Sequence, residues 1–264
     1  TALQSSAYVD MTIDTLENFG ISVEHNTGEY IVSGSSRYTS PGEYIVEGDW
    51  SNAAFFMVLG ALGGRVTVKN LNMNSRQSDK MLLDAFALAG ADFAVTVGDT
   101  PGETSGITSH DIPGDTTGVN TGRIADITVN KSELQPFTFD VSECPDLFPV
   151  LAVMACGAKG DTLLSGAGRL RLKESDRIEA ARELILNLGG SAEETADSLI
   201  VHGTGKLTGG TVDSRNDHRI AMAAFAARAI CENDIILNDA EAINKSYPSF
   251  VEDFESIGGK VHVI

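Results

Sequence analysis

Two groups of basic side chains stand near predicted helix starts, in a chain that is otherwise acidic. Backbone N–H groups at a helix N-terminus favour anions, and arginine adds bidentate contacts to oxyanions. The pattern therefore predicts a small pocket for a metabolite that carries phosphate or carboxylate groups. The first group is Arg169, Arg171, Lys173 and Arg177; the second is Arg215, His218 and Arg219, and Lys245 follows farther along the chain.

Two carboxylates lie beside these cations. Glu174 is within the first basic group, and Asp146 precedes a predicted apolar helix. Carboxylates held among fixed cations can act as a general acid or base. From spacing alone, a helix cap and a solvated salt bridge explain Asp146 and Glu174 at least as well. Arg177 and Lys245 are equally well explained as surface residues, and His218 as a structural histidine.

Other site chemistries find no support in the sequence. No group of His, Cys, Asp and Glu has the spacing of metal ligands. The GxSxG, Walker A and GxGxxG patterns are missing from the contexts in which they function. The residues alone therefore predict an anion-binding α/β repeat protein, either an enzyme or a binding module.

Charge and composition exclude several classes of partner. The 264 residues include 37 Asp and Glu against 19 Lys and Arg, a net charge of −18, which makes nucleic acid and anionic membranes poor partners. Apolar residues make up 42% of the chain, enough for a core, and no apolar run reaches the length of a membrane span. Three cysteines without a CxxC pattern favour a reduced, cytoplasmic setting.

Self-comparison reveals repeated units. Asp49, Asp146 and Asp217 each precede an almost wholly apolar run, which is typical of a buried helix. About thirty residues later an amphipathic helix is predicted, at Asp79, Asp176 and Tyr247, and it ends at glycine before a strand. Strands that alternate with helices predict an α/β fold with parallel pairing.

The start of the chain matches only the second half of this unit. We therefore expect a remnant of one domain at 1–47, a domain of three complete copies at 48–264, and a longer protein of which this is the carboxyl-terminal part.

Three strings, RLKESDRIEA, NDHRIAMA and NKSYPSF, occur in this order. With CPD before a buried helix, they strongly resemble the 5-enolpyruvylshikimate-3-phosphate synthase family. The resemblance implies βαβαββ units of the inside-out α/β barrel type, in two domains. It also implies transfer of the enolpyruvyl group of phosphoenolpyruvate to the 5-hydroxyl of shikimate 3-phosphate, with release of phosphate. This is a cytoplasmic step toward aromatic amino acids and the target of glyphosate, and it needs no metal or organic cofactor.

The resemblance also assigns site residues. Asp146 is similar to the base that takes the hydroxyl proton, and Glu174 to the group that transfers a proton at the enol methylene. Lys173, Ser5 and Tyr8 are similar to shikimate-phosphate contacts, and Arg177, Arg219 and Lys245 to the phosphoenolpyruvate clamp. Arg169 stands where the family varies, which gives it a supporting role only.

The resemblance places other substrate contacts of the family in a half that precedes Thr1. We therefore expect the 264 residues alone to be inactive and to self-associate, whereas the full enzyme is expected to be a monomer. Two alternatives stay open: a non-catalytic anion-binding fragment, and a UDP-N-acetylglucosamine enolpyruvyl transferase.

Overall fold

The computed structural model describes residues 6–97, 105–108 and 123–264, with only the backbone considered at 105–108. This part of the chain contains both helices and strands, as predicted. The helices are α1 Ser6–Asn18, α2 Trp50–Gly63, α3 Leu82–Ala89, α4 Phe148–Gly157, α5 Arg177–Asn187, α6 His218–Ala227 and α7 Phe250–Ser256. The strands are β1 Val23–Asn26, β2 Glu29–Val32, β3 Arg65–Asn72, β4 Asp92–Val97, β5 Ser105–Thr108, β6 Ile124–Asn130, β7 Thr138–Asp140, β8 Lys159–Ser165, β9 Ala192–Glu194, β10 Leu199–Thr204, β11 Gly210–Asp213 and β12 Ile235–Asn238. Strands β4 to β7 and strands β9 to β11 follow one another with no α-helix among the described residues between them.

The core is built around three apolar helices, α2, α4 and α6, which pack against one another. Every residue from Phe148 to Cys156 in α4 is buried, and α2 and α6 are buried over nearly their whole length. Burial of an apolar helix on all sides removes its side chains from water, the main favourable contribution to folding. The prediction of three buried helices is confirmed.

Strands form three sheets outside these helices and one separate hairpin. The strand orders are β3-β6-β4-β5, β7-β8-β10-β9 and β11-β12, with β1-β2 as the hairpin. The expectation of parallel pairing is largely wrong, since among these named strands only β7–β8 and β11–β12 are parallel. In both parallel pairs a buried helix carries the chain back to the starting end of the sheet, whereas β9 and β10 are joined by a tight turn and run antiparallel.

Aspartates cap the starts of three helices. Asp49, Asp176 and Asp217 accept hydrogen bonds from backbone N–H groups of α2, α5 and α6. Asp146 and Asp79 lie instead inside 3₁₀ turns, at Pro145–Leu147 and Ser78–Met81, where neither caps a helix. Their carboxylates are therefore available for other contacts.

The ends of the described chain pack loosely. Helix α1 has no fully buried residue, and it meets the rest of the molecule through a hydrogen bond from Tyr8 to Asp79 and a 3.0 Å ion pair between Asp14 and Arg76. The strand expected after Gly258 is not formed; residues 259–264 have no regular secondary structure. The domain boundary at 47/48 stays a prediction. No helix in the described ranges is long and apolar enough to span a bilayer.

Candidate active site

The N-terminal ends of the three core helices converge on one guanidinium nitrogen. Arg219, in the first turn of α6, donates from Nη2 to Ser51 Oγ in the first turn of α2 and to Asp146 Oδ2 just before α4, both at 3.0 Å. Each helix N-terminus carries a partial positive charge. The convergence therefore creates a positively charged surface.

Arg177 is the centre of the polar network. Its side chain is 1% exposed, and it donates from Nη1 to Asp146 Oδ1, from Nη2 to Glu174 Oε2 and from Nε to Asp217 Oδ2. These three distances are 2.7, 2.7 and 2.8 Å. A buried cation requires paired acceptors, so the three carboxylates fix the guanidinium plane.

Asp146 is held by three cations. Besides Arg177 and Arg219, the ammonium of Lys173 lies 3.6 Å from its Oδ1. Burial on its own raises the pKa of Asp146, but the charges of Arg219, Arg177 and Lys173 outweigh it and lower the pKa to about 2. Asp146 is therefore a carboxylate at neutral pH, stabilised by the cations that an incoming anion would share.

Arg219 is a buried cation with two side-chain donors that the described residues leave without a partner. Its side chain is only 8% exposed, yet Nε and Nη1 are buried and donate to no atom of the described residues. Buried donors without acceptors are rare and costly. Phosphate or carboxylate oxygens on a ligand would satisfy both donors.

Asp217 and His218 complete the inner wall. Asp217 is fully buried, caps α6 by accepting from the backbone N–H of Arg219, and accepts from Ser175 at 3.0 Å. His218 is buried, and its Nδ1 has no hydrogen-bond partner among the described residues. Burial, together with the charge of Arg219, lowers the pKa of His218, so its imidazole is neutral at pH 7.

An open cavity of about 460 Å³ adjoins Asp146. Glu174 and Lys173 are more exposed than Arg177, with 42% and 35% of their side chains accessible, which places them at the mouth of the site. The cavity is lined by Tyr8, Pro145, Asp146, Arg169, Leu172 and Lys173.

Tyr8 is brought to this cavity by a contact that the sequence did not reveal. Its hydroxyl donates to Asp79 Oδ2, and Asp79 is 1% exposed with Oδ1 buried and without a partner in the described part of the chain. Burial raises the pKa of Asp79, the hydrogen bond from Tyr8 lowers it in part, and the charge of Asp146 raises it again, to about 6. The sequence pattern predicts only a helix start at Asp79.

The basic residues separate into an inner and an outer set. Arg177, Arg219 and Lys173 meet at Asp146, whereas Arg171 and Arg215 lie outside and pair with acidic side chains. Lys245 is exposed and donates to the backbone carbonyl of Asn216, one residue before Asp217. Its predicted role in an anion clamp is untested, and Ser5 lies outside the described residues.

Asp217 is a residue of this network whose role the sequence does not predict, because an aspartate before an apolar run is typical of any helix start. The signal that the sequence offers is an arginine two residues after the aspartate, at the start of an apolar run where a charged residue is uncommon. In the described ranges, no cluster of three or more His, Cys, Asp and Glu side chains could hold a metal ion.

Comparison with known proteins agrees with the motifs. The profile of the family EPSP synthase (3-phosphoshikimate 1-carboxyvinyltransferase) matches residues 1–254. The chain belongs to the EPSP synthase family. The 3-phosphoshikimate 1-carboxyvinyltransferase of Clostridium novyi is 41% identical over 260 residues, which cover 98% of the chain and 53% of that relative. The protein of that name from Brachyspira hyodysenteriae is 40% identical, over 98% of the chain and 56% of its own length.

Solved structures place the fold in the same group. EPSP synthase from Acinetobacter baumannii superposes with a TM-score of 0.75 at 27% identity, over 94% of this chain and 54% of that one. The enolpyruvyl transferase NikO from Streptomyces tendae, at 17% identity and a TM-score of 0.68 over 98% and 54% of the two chains, shares the fold. The predicted enolpyruvyl transferase fold is confirmed, while the number of complete repeats stays a prediction. This member of the EPSP synthase family spans about half the length of these relatives.

Proposed function

We propose that this chain supplies one wall of an enzyme that transfers the enolpyruvyl group of phosphoenolpyruvate to the 5-hydroxyl of shikimate 3-phosphate and releases phosphate. The observation that carries the proposal is Arg219, a buried cation with two unsatisfied donors at the meeting point of three helix N-termini. Such a site is suited to a small polyanion. The reaction is taken from the family to which the chain belongs, EPSP synthase (3-phosphoshikimate 1-carboxyvinyltransferase).

Phosphoenolpyruvate is the anion assigned to the inner cations. Arg219 offers Nε and Nη1, and Arg177 adds its positive charge while it keeps its hydrogen bonds to Asp146 and Glu174. Arginine is well suited to this task because its planar guanidinium binds phosphate and carboxylate oxygens in pairs. Lys245 joins the clamp by exchanging the carbonyl of Asn216 for a ligand oxygen.

Two carboxylates are assigned to proton transfer. In the addition step the 5-hydroxyl oxygen bonds to C2 of phosphoenolpyruvate, Asp146 takes the hydroxyl proton, and Glu174 gives a proton to the methylene carbon. The product is a tetrahedral ketal with a methyl group. In the elimination step Glu174 takes a proton back from that methyl group, the bond from C2 to the phosphate oxygen breaks, and phosphate leaves with the proton that Asp146 held. Arg177 contacts both carboxylates at 2.7 Å, so it fixes their mutual position.

The low pKa of Asp146 depends on the positive charges of Arg219, Arg177 and Lys173. A carboxylate with a pKa of about 2 is a weak base at neutral pH. A phosphoenolpyruvate anion that shares Arg177 and Arg219 reduces the positive charge felt by Asp146, which raises its pKa. Substrate binding thus makes Asp146 a stronger base at the step that needs one.

Shikimate 3-phosphate is assigned to the open cavity beside Asp146. Lys173 and Tyr8 line this cavity, and Arg169 adds a third polar group with a supporting role. Ser5 is proposed on family resemblance alone. We also propose a cytoplasmic setting, which is supported by three buried cysteines that form no disulfide.

Binding and turnover test the proposal separately. Calorimetric titration of the 264-residue chain should show weak binding of inorganic phosphate and phosphoenolpyruvate, and no turnover is expected because half of the relatives' length is absent. The chain joined to the amino-terminal half of the Clostridium novyi relative should release phosphate only when both substrates are present. A folded fusion without phosphate release would contradict the proposal. Thermal stabilisation by UDP-N-acetylglucosamine but not by shikimate 3-phosphate would favour the sugar-nucleotide alternative.

A further inference from the structure

The turn that precedes α6 has an unusual backbone for its sequence. Residues 214–217 form a tight turn closed by a 2.9 Å hydrogen bond from Asp217 N to Ser214 O. Its two central residues, Arg215 and Asn216, both have left-handed backbone angles, with φ of 52° and 56°. This turn type favours Asn and Gly, and arginine at the first central position is disfavoured because its Cβ meets the backbone.

Side chains outside the turn hold this conformation. Arg215 donates from Nη1 to Glu179 Oε2 at 2.8 Å and from Nη2 to Glu183 Oε2 at 2.6 Å. The two glutamates lie four residues apart and therefore share one face of α5. The backbone N–H of Arg215 also donates to Asp213 Oδ1 at 2.7 Å.

The same turn delivers the inner wall of the candidate site. Asp217 is its last residue, and Asp217 pairs with Arg177 at the start of α5 and caps the helix that carries Arg219. Helix α5 therefore touches the turn twice: Arg177 reaches inward to Asp217, and Glu179 with Glu183 accepts Arg215 from outside.

We propose that Arg215 is a positioning residue, whose paired contacts with Glu179 and Glu183 fix the 214–217 turn against α5 and thereby set the place of Asp217 and Arg219. It does not bind the substrate anion itself, because its guanidinium faces the two glutamates. This role rests on the anion site proposed above. It adds the contacts of Arg215 with Glu179 and Glu183, which lie outside that site and hold its inner wall in place.

A measurement that needs no ligand tests the positioning directly. The Nε–H of Arg177 is buried and bonded to Asp217, so in ¹⁵N NMR it should exchange slowly with water. Arg215→Gln should speed this exchange by about tenfold or more, because the turn opens locally more often. The double variant Glu179→Gln/Glu183→Gln should have the same effect, and combining all three changes should add little, since the same two ion pairs are removed in each case.

Two further variants complete the test. Arg215→Lys keeps the charge and one ion pair, and it should restore slower exchange in part. Lys206→Gln is the matched control, since Lys206 forms a 2.6 Å pair with Glu232 on an exposed surface; it should leave exchange at Arg177 unchanged. Equal exchange in wild type and Arg215→Gln would overturn the proposal, as would an equal acceleration by Lys206→Gln. If Arg215→Gln does not fold, the glutamate double variant decides in the same way.

Titration with inorganic phosphate separates this proposal from the proposed function. Arg215→Gln should weaken phosphate binding by about five- to tenfold, because Arg219 is displaced without being removed. If wild type binds no phosphate, the anion site fails while the exchange data still decide the role of Arg215. If wild type binds phosphate and Arg215→Gln binds it equally well with unchanged exchange, only the role of Arg215 is refuted.

Discussion

Arg177 and Asp217 form an ion pair that is withdrawn from water. Nε of Arg177 donates to Oδ2 of Asp217 at 2.8 Å, and the two side chains are 1% and 0% exposed. Burial raises the pKa of Asp217, but the hydrogen bond and charge of Arg177 outweigh this and lower the pKa below its usual value. Because Arg177 begins α5 and Asp217 caps α6, the pair joins the starts of two successive helices at the site.

Replacement of Asp217 by asparagine should destabilise the fold strongly. Asp217→Asn keeps the shape and a capping oxygen but leaves Arg177 with one fewer negative partner in a buried setting. Loss of one partner of a buried pair costs on the order of 3–5 kcal/mol. Urea unfolding measures the change, and Asp234→Asn serves as the control because Asp234 is 93% exposed. A loss no larger than that of the control would show that the pair contributes little.

Replacement of Arg219 by lysine should weaken anion binding while the net charge is kept. A lysine ammonium lacks the planar fork that presents Nε and Nη1, so affinity for inorganic phosphate should fall by about 10- to 100-fold, the size expected for one or two charge-assisted hydrogen bonds. Calorimetric titration gives the affinity. Arg228→Lys, at the far end of the same helix, should bind phosphate as wild type does. Unchanged affinity in Arg219→Lys would contradict the clamp.

Replacement of Glu174 by glutamine should slow turnover without unfolding the protein. Glu174 is 42% exposed, so its ion pair contributes little to stability. Removal of a proton-transfer group should lower kcat by about 10²–10⁴, measured as phosphate release in the fusion with the amino-terminal half of a relative. Glu232→Gln, a surface change, should have no effect. A loss of less than about threefold, well below that range, would remove Glu174 from the proton-transfer steps.

The buried helices were predictable because each consists of a long apolar run that follows an aspartate. The direction of strand pairing was not predictable. A strand that follows an amphipathic helix can pair with its neighbour in either direction, and the order of helices and strands in the sequence does not decide which. The antiparallel pairs β8–β10 and β4–β6 depend on tertiary packing that leaves no periodic mark in the sequence.

The sequence allowed us to predict which basic residues are candidates for the site. It did not allow us to predict which side chains each of them contacts. The predicted basic groups include Arg177 and Arg219, but they also include Arg171 and Arg215, which face acidic side chains instead. The sign of the charge is visible in the sequence, but the direction of the side chain is decided by α5 and the β9–β10 turn. Asp79 and Tyr8 are 71 residues apart, and no local pattern links them.

The raised pKa of Asp79 predicts a pH-dependent stability that one substitution should remove. The pKa is about 6 in the folded protein and near 4 in an unfolded chain, so the folded state holds the proton more tightly. Stability contributed by this group is full below pH 4 and is lost as pH rises through about 6. The loss of stability should be on the order of 2 kcal/mol.

The variant Asp79→Asn keeps an oxygen for the Tyr8 hydroxyl but cannot ionise. Urea unfolding at pH 5 and pH 8 should therefore show the variant gaining stability relative to wild type at the higher pH. Other titrating groups are shared by both proteins and cancel in this difference, so an identical pH dependence of the two would show that Asp79 is ionised at no cost.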